Sequence, residues 1–257
     1  MTCRLVRFRI PAMVCSILFC LSGNIAHAAD IRVLSVGALR SSTAALIPDF
    51  EKLTGHKVTI ESGAAGAMAK RIHDGEAVDV GIVTTALIER LAAEGHIKPG
   101  TQLVVAKAGM GISARRGAGK FDITTMDALK RTLSAAASIG HTDPASGASS
   151  AIYAAKLLAG LDIAVELKPK LKVFASNALL HDAIARGDVE LGLGQQSEIL
   201  AEPRLELVGP LPAPVQNISE FSAGVVTSTK QLDAAKAFIS FLASPAAASV
   251  LKAKGFE

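Results

Sequence analysis

Three short stretches concentrate the residues that could hold a charged small molecule: Gly37-Ala38-Leu39-Arg40-Ser41-Ser42, Ser62-Gly63-Ala64-Ala65-Gly66 and the segment from Asp143 to Ser150. Each is small and polar, follows an apolar run and precedes residues at helical spacing. A helix beginning at such a corner points free backbone N–H groups, and the positive end of its dipole, at whatever lies above the strand. Glycine and alanine let a ligand approach those amides, and Ser41, Ser149 and Ser150 add neutral hydroxyl donors. A single turn of this kind is explained by glycine and serine punctuating a loop. Three in corresponding places point to an anion site. Arg40, Lys70, Arg71 and His141 are the charged groups beside the turns, although a solvated helix face is the simpler account of Lys70. Gln195 and Gln196 leave the end of another apolar run carrying amide donors, and Asn177 is expected to cap a helix that Gly187 terminates. The ligand set read from these positions is Ala38, Arg40, Ser41, Ala64, Ala65, Gly66, His141, Ser149, Ser150, Asn177 and Gln195.

No familiar catalytic pattern accompanies them. Gly37 lacks the G-x-x-G continuation of a dinucleotide fingerprint, and the chain has no G-K-[ST] triplet. Gly147-Ala148-Ser149-Ser150 is not a nucleophile elbow, and the spacing of His141, Asp143 and the nearby serines is generic. The six histidines show no metal-ligand spacing. The expectation is a binding protein with no catalytic residue, no cofactor and no metal.

The elements that must position these turns are legible from periodicity. Ile31, Val33, Leu34 and Val36 make a β-branched run of the kind buried in a parallel sheet, and Leu39, Thr43, Leu46, Ile47, Phe50 and Leu53 recur at helical steps. Pro48 falls inside that pattern and predicts a kink or a restart. Strands at 56–60 and 78–83, with helices after each, complete a β-α-β-α-β half-sheet. A strand across 102–116 leads to a second set: helix 126–135, strand 137–140, helix 151–159, strand 171–175, a helix from 177 and strand 189–193. A strand at 223–227 and helices at 231–242 and 246–254 have no sheet of their own and are expected to return to the first half. The fold class is therefore α/β with two lobes, each a mostly parallel sheet flanked by helices. The division is 29–106 for lobe 1, 107–221 for lobe 2 and 222–257 for the return. Two crossings between lobes make a hinge, with the polar turns lining the cleft.

Residues 1–28 stand apart. Arg4, Arg7 and Arg9 form a basic region, Ile10 to Leu21 an apolar core and Ala26-His27-Ala28 a cleavage site, the pattern of a secretory signal peptide. The bulky Phe19 before Cys20 argues against a lipoprotein leader. All three cysteines lie in this segment, so the exported chain has no disulfide and no thiol chemistry. Its removal takes three arginines and no acid, which lowers the formal net charge from +4 to +1 and gives a nucleic-acid partner no electrostatic support. One tyrosine and no tryptophan leave little aromatic surface for stacking on sugars. A soluble, monomeric periplasmic protein is expected.

From Ile31 nearly to the C-terminus the chain resembles the periplasmic molybdate-binding proteins, class II solute receptors of ABC importers. Phe50-Glu51-Lys52-Leu53-Thr54-Gly55-His56-Lys57-Val58, Ala69-Lys70-Arg71-Ile72, Val78-Asp79-Val80, Ala151-Ile152-Tyr153-Ala154 and Gly192 to Glu198 carry the resemblance. It implies a hinged type II binding-protein fold, a small anionic solute held by helix N-termini and neutral donors, and a membrane permease as partner. The donors differ, however. Ala38 stands where the resemblance implies a serine, Ala64-Ala65-Gly66 replaces a serine-rich turn, Gln195 replaces a tyrosine, and the third turn is longer around Gly147 to Ser150. Losing two or three charge-assisted donors costs a desolvated dianion several powers of ten in affinity, at about 1.5–3 kcal/mol each. The expected ligand is accordingly a small organic carboxylate or another oxyanion. Ser41-Ser42 and Ser149-Ser150 would hold one carboxylate, Arg40 or His141 another, and Gln195 a hydroxyl or carbonyl. The alternatives are molybdate or tungstate itself, a secreted serine hydrolase using Ser149 or Ser150 with His141, and a regulator's effector domain, which the leader and the lack of a DNA-binding segment disfavour.

Overall fold

The computed structural model describes residues 28–257; the expected signal peptide lies outside them except for its last residue. Nine strands are described: β1 (Asp30–Val36), β2 (Lys57–Gly63), β3 (Val80–Thr84), β4 (Leu103–Arg115), β5 (Ile139–Thr142), β6 (Leu171–Phe174), β7 (Leu191–Gln195), β8 (Leu205–Pro210) and β9 (Ile218–Val225). The helices are α1 (Arg40–Thr54), α2 (Ala65–His73), α3 (Thr85–Ala93), α4 (Met126–Ala135), α5 (Ser149–Gly160), α6 (Ala164–Leu167), α7 (Asn177–Arg186), α8 (Gln196–Leu200), α9 (Leu232–Leu242) and α10 (Pro245–Ala253).

The strands join in the order β2-β1-β3-β9-β4-β7-β5-β6, with β8 also paired to β4. Pairings among β1, β2 and β3, and among β5, β6 and β7, are parallel. β4 and β9 run antiparallel to their neighbours and connect the two parallel groups. β4 is a single strand of 13 residues: Leu103 to Gly109 pairs with β9, and Met110 to Arg115 with β7 or β8. The hydrophobic cores divide at the same place. One gathers residues between Ile31 and Ala108 together with Phe221 to Phe256; the second gathers residues between Met110 and Leu211, beside a smaller third cluster of Leu180, Ala183, Ile184, Val189 and Leu205. This is a two-lobed α/β fold in which the chain crosses between lobes along β4 and again ahead of Phe221.

The C-terminal helices pack back on the first core through aromatic contact. Phe50 of α1 meets the Phe238 ring edge-on at 5.1 Å and lies 5.5 Å from Phe241, both on α9. Two expectations from the sequence change here. α1 runs unbroken through Pro48, which sits on the exposed side of the helix with Ala44 and Asp49, where the carbonyl freed by proline can turn to water. The strand expected at 223–227 starts at Ile218, and β8, which has no clear alternation, was not anticipated.

Candidate ligand site

The C-terminal ends of β1, β2, β5, β6 and β7 face one cavity of about 550 Å³, lined from both lobes. Parallel α/β sheets present their βα turns at this end, so the site's position follows from strand direction. Five helices start at the cavity, α1, α2, α5, α7 and α8, the last with Gln195 at its capping position and no side-chain cap. Three of them, α1, α2 and α5, have Leu39, Ala64 and Ala148 at the capping position, and none of these supplies a side-chain cap. Only α7 is capped, by Ser176, whose hydroxyl accepts from the Leu179 amide at 3.3 Å. α1 continues a 3-10 turn over Gly37–Leu39 and its Arg40 amide donates to the Gly37 carbonyl, so the first-turn amides left for a ligand are those of α2 and α5, apart from that of Gly66. That amide donates to the carbonyl of Gly147 at 3.1 Å and ties the lobes together across the cleft. A Cβ on Gly66 would stand 3.3 Å from Gly147, so this contact depends on glycine at 66.

Three polar side-chain atoms at the cavity are shut away from bulk solvent without a protein partner: Ser41 Oγ, Gln195 Nε2 and Ser197 Oγ. An unpaired buried polar group costs about 1–3 kcal/mol, a penalty that a polar ligand removes. Arg40 is the only lysine or arginine among the lining residues. Its guanidinium donates to the Ser62 carbonyl at 3.0 Å and is otherwise exposed.

The acidic member is Glu198, on α8. Its Oε2 accepts from Asn177 Nδ2 at 2.6 Å, and Asn177 Oδ1 in turn accepts from the Thr142 hydroxyl. Glu198 touches the cavity on one side, but protein surrounds its carboxyl. That desolvation pushes the carboxyl pKa above the ordinary 4.5, against the opposing pull of the Asn177 hydrogen bond and the Arg40 charge. Gly37 of lobe 1 lies directly beside it: a Cβ there would be 3.1 Å from Glu198 Oε1. Nearby, burial lowers the pKa of His181, and the Arg204 guanidinium holds Glu202 down to about 2.

Of the residues read from the sequence, Ala38, Arg40, Ser41, Ala64, Ala65, Ser149, Ser150, Asn177 and Gln195 line the cavity. His141 does not: its ring is buried, and Nδ1 pairs with the carbonyl of Thr142 at 2.9 Å. Neither Ser149 nor Ser150 is hydrogen-bonded to that ring among the described residues, so the geometry of a serine hydrolase is not assembled. Gly66 is likewise outside the lining and serves the contact with Gly147. Asn177 is the first helical residue and not the cap, because Ser176 takes that role and leaves the amide free for Thr142 and Glu198. Sequence reading passed over Glu198, Ser197, Thr142 and His181. The signal for Glu198 is an acid placed five residues beyond the apolar run that ends at Leu193.

Fold and site together define a type II periplasmic binding protein. A profile of the family described as bacterial extracellular solute-binding protein matches residues 31–257, and the chain belongs to that family. It is 28% identical over 233 residues to an aconitate isomerase from Pseudomonas sp., covering 88% of this chain and 87% of that one. It is 27% identical over 239 residues to the molybdate-binding protein ModA of Azotobacter vinelandii, covering 90% and 91%. The solved periplasmic molybdate-binding protein of Azotobacter vinelandii superposes with a TM-score of 0.73 at 22% identity, over 88% of this chain and 98% of that structure.

A pH dependence follows from Glu198. The folded chain keeps this proton where the unfolded chain, with an ordinary value of 4.5, has released it, so stability falls as pH rises through and above that value. Glu198→Gln removes the fall. Urea midpoints measured from about pH 5 to pH 8 should favour the variant increasingly. Parallel profiles for variant and wild type would contradict the assignment.

Proposed function

We propose that the chain captures a small organic polycarboxylate between its lobes and presents it to the permease of an ABC importer. The observation that carries this reading is the convergence of three uncapped helix N-termini on three unpartnered polar atoms, with Arg40 as the one strong cation. Such a lining suits carboxylate oxygens at one end and a hydroxyl or carbonyl at Gln195. The cavity volume falls in the range of organic ligands and far exceeds a single tetrahedral oxyanion. A protonated Glu198 can donate to a second carboxylate. The resemblance to an aconitate isomerase supports an unsaturated tricarboxylate skeleton over a metal oxyanion. In this reading the leader directs residues 29–257 to the periplasm. Lobes 29–106 and 107–221, with the return at 222–257, close about the two crossings, and the Gly66–Gly147 contact belongs to the closed form.

Calorimetry against citrate, cis- and trans-aconitate, succinate, sulfate and molybdate tests the ligand class. One or more of the carboxylates should bind at least roughly a hundredfold more tightly than molybdate. Arg40→Ala should weaken that binding by about tenfold or more without changing the melting temperature. Tighter binding of molybdate would overturn the reading.

A second reading adds a reaction, and Glu198 is the observation that favours it. A desolvated carboxyl with a raised pKa is, once ionised, a stronger base than a solvated one. Placed beside the methylene group of a bound unsaturated carboxylate, it would remove one proton as the double bond shifts. Returning that proton to the other end of the allylic system leaves a net isomerisation with no cofactor. Incubating the wild-type chain with trans-aconitate in D₂O and following the proton spectrum decides this. The cis isomer should form, and Glu198→Gln should still bind but lose turnover. No isomer with the wild type, or an unimpaired variant, excludes the reaction while leaving the receptor reading standing.

A further inference from the structure

On the side of lobe 1, outside the residues that line the cleft, His73, Glu94 and His96 offer one ligand atom each, all within 4.8 Å of one another. We propose that this trio is a binding site for a divalent transition-metal ion. Two imidazole nitrogens and one carboxylate are a donor set for zinc, nickel or copper(II), whereas calcium and magnesium need oxygen-rich surroundings. Water would complete the shell at this surface.

The chain holds the three groups on firm supports. His73 is the last residue of α2 and Glu94 the C-cap of α3, so two helix C-termini, the negative ends of their dipoles, meet here. Buried Ile72 and Ile97 anchor the residues adjacent to each histidine. The His96 amide donates to the Leu91 carbonyl at 2.8 Å, and its own carbonyl accepts from the Thr227 amide at 2.9 Å. The Thr227 hydroxyl secures Gly95 from the other side at 2.8 Å. The imidazole rings lie 4.9 Å apart at a tilt of 48°, facing each other with no hydrogen bond between them. Asp74 Oδ1, 3.3 Å from Nδ1 of His73, orients that ring in the way carboxylates support metal-bound histidine.

Around a four-coordinate zinc with bonds near 2.0–2.1 Å, ligand atoms sit about 3.4 Å apart. Closing from 4.8 Å falls mainly to the exposed side chains of His73, which is 55% exposed, and Glu94, while the half-buried His96 is held in place. Two neighbouring cations moderate the site: Lys70 is paired with Asp74 at 2.5 Å, and Arg90 approaches Glu94 at 3.8 Å. The spacing 73, 94, 96 conceals the cluster in the sequence, because only the packing of α2 on α3 brings its ends together.

The test uses the untagged, chelator-treated chain from residue 29 onward, without any carboxylate that would itself bind metal. Titration with Co²⁺ should give one equivalent with the visible bands of a low-coordinate site, and Zn²⁺ should displace it. His73→Ala and His96→Ala should each weaken binding roughly tenfold or more, and the double variant should abolish it. Zinc should raise the melting temperature of the wild type and leave that of the double variant unchanged. The metal-free melting temperatures of all chains should lie close together, since His73 is exposed and His96 is only half-buried. Binding that survives in the double variant, or no binding by the wild type at about 100 μM metal, overturns the proposal.

Discussion

Unsatisfied amides at the start of a helix carry a partial positive charge, and several such ends cannot be drawn together over a closed gap at no cost. In this chain α1 and α2 from one lobe, and α5 and α7 from the other, all start at the same cavity, and three of them carry no side-chain cap. Serine or aspartate at Ala64 or Ala148, both extended, would satisfy those amides internally. In the proposed reading, their absence from the capping positions leaves those amides for a bound anion to satisfy. Strand direction, glycine at 37 and 66, and the two crossings between lobes are all arranged around that requirement.

The charge balance within the cleft narrows what the anion can be. One guanidinium faces a carboxyl that burial keeps protonated at pH values where glutamate is ordinarily ionised. A neutral carboxylic acid is a hydrogen-bond donor, so in the proposed reading Glu198 would donate to a ligand carboxylate. The Thr142–Asn177–Glu198 chain of hydrogen bonds fixes the orientation of that donor. The same carboxyl, once it has given up its proton, is the group in the cleft placed to take one from a C–H beside it.

Much of this was legible in the sequence, because period and turn chemistry are local. The Ile31 to Val36 run, the glycine at 55 with φ 76°, and the Thr125 cap of α4 each declare an element within a few residues. The polar corners were legible for the same reason. What escaped was decided by distant contacts. His141 reads as part of a polar turn, yet it lies on β5 with its ring buried against the Thr142 carbonyl, which no spacing shows. Glu198 looks like a surface acid on a short helix until Gly37 and Asn177, distant in the chain, close around it. The pairing of His73 with His96 likewise exists only once α2 and α3 pack.

The central claim is that an organic polycarboxylate fills the gap between the helix ends. Native mass spectrometry of the protein, exported and purified gently without added ligand, tests this most directly. The account predicts an adduct whose mass and fragments match a small carboxylic acid, lost when Arg40 and Gln195 are replaced together. An adduct with the isotope pattern of molybdenum or tungsten would contradict it.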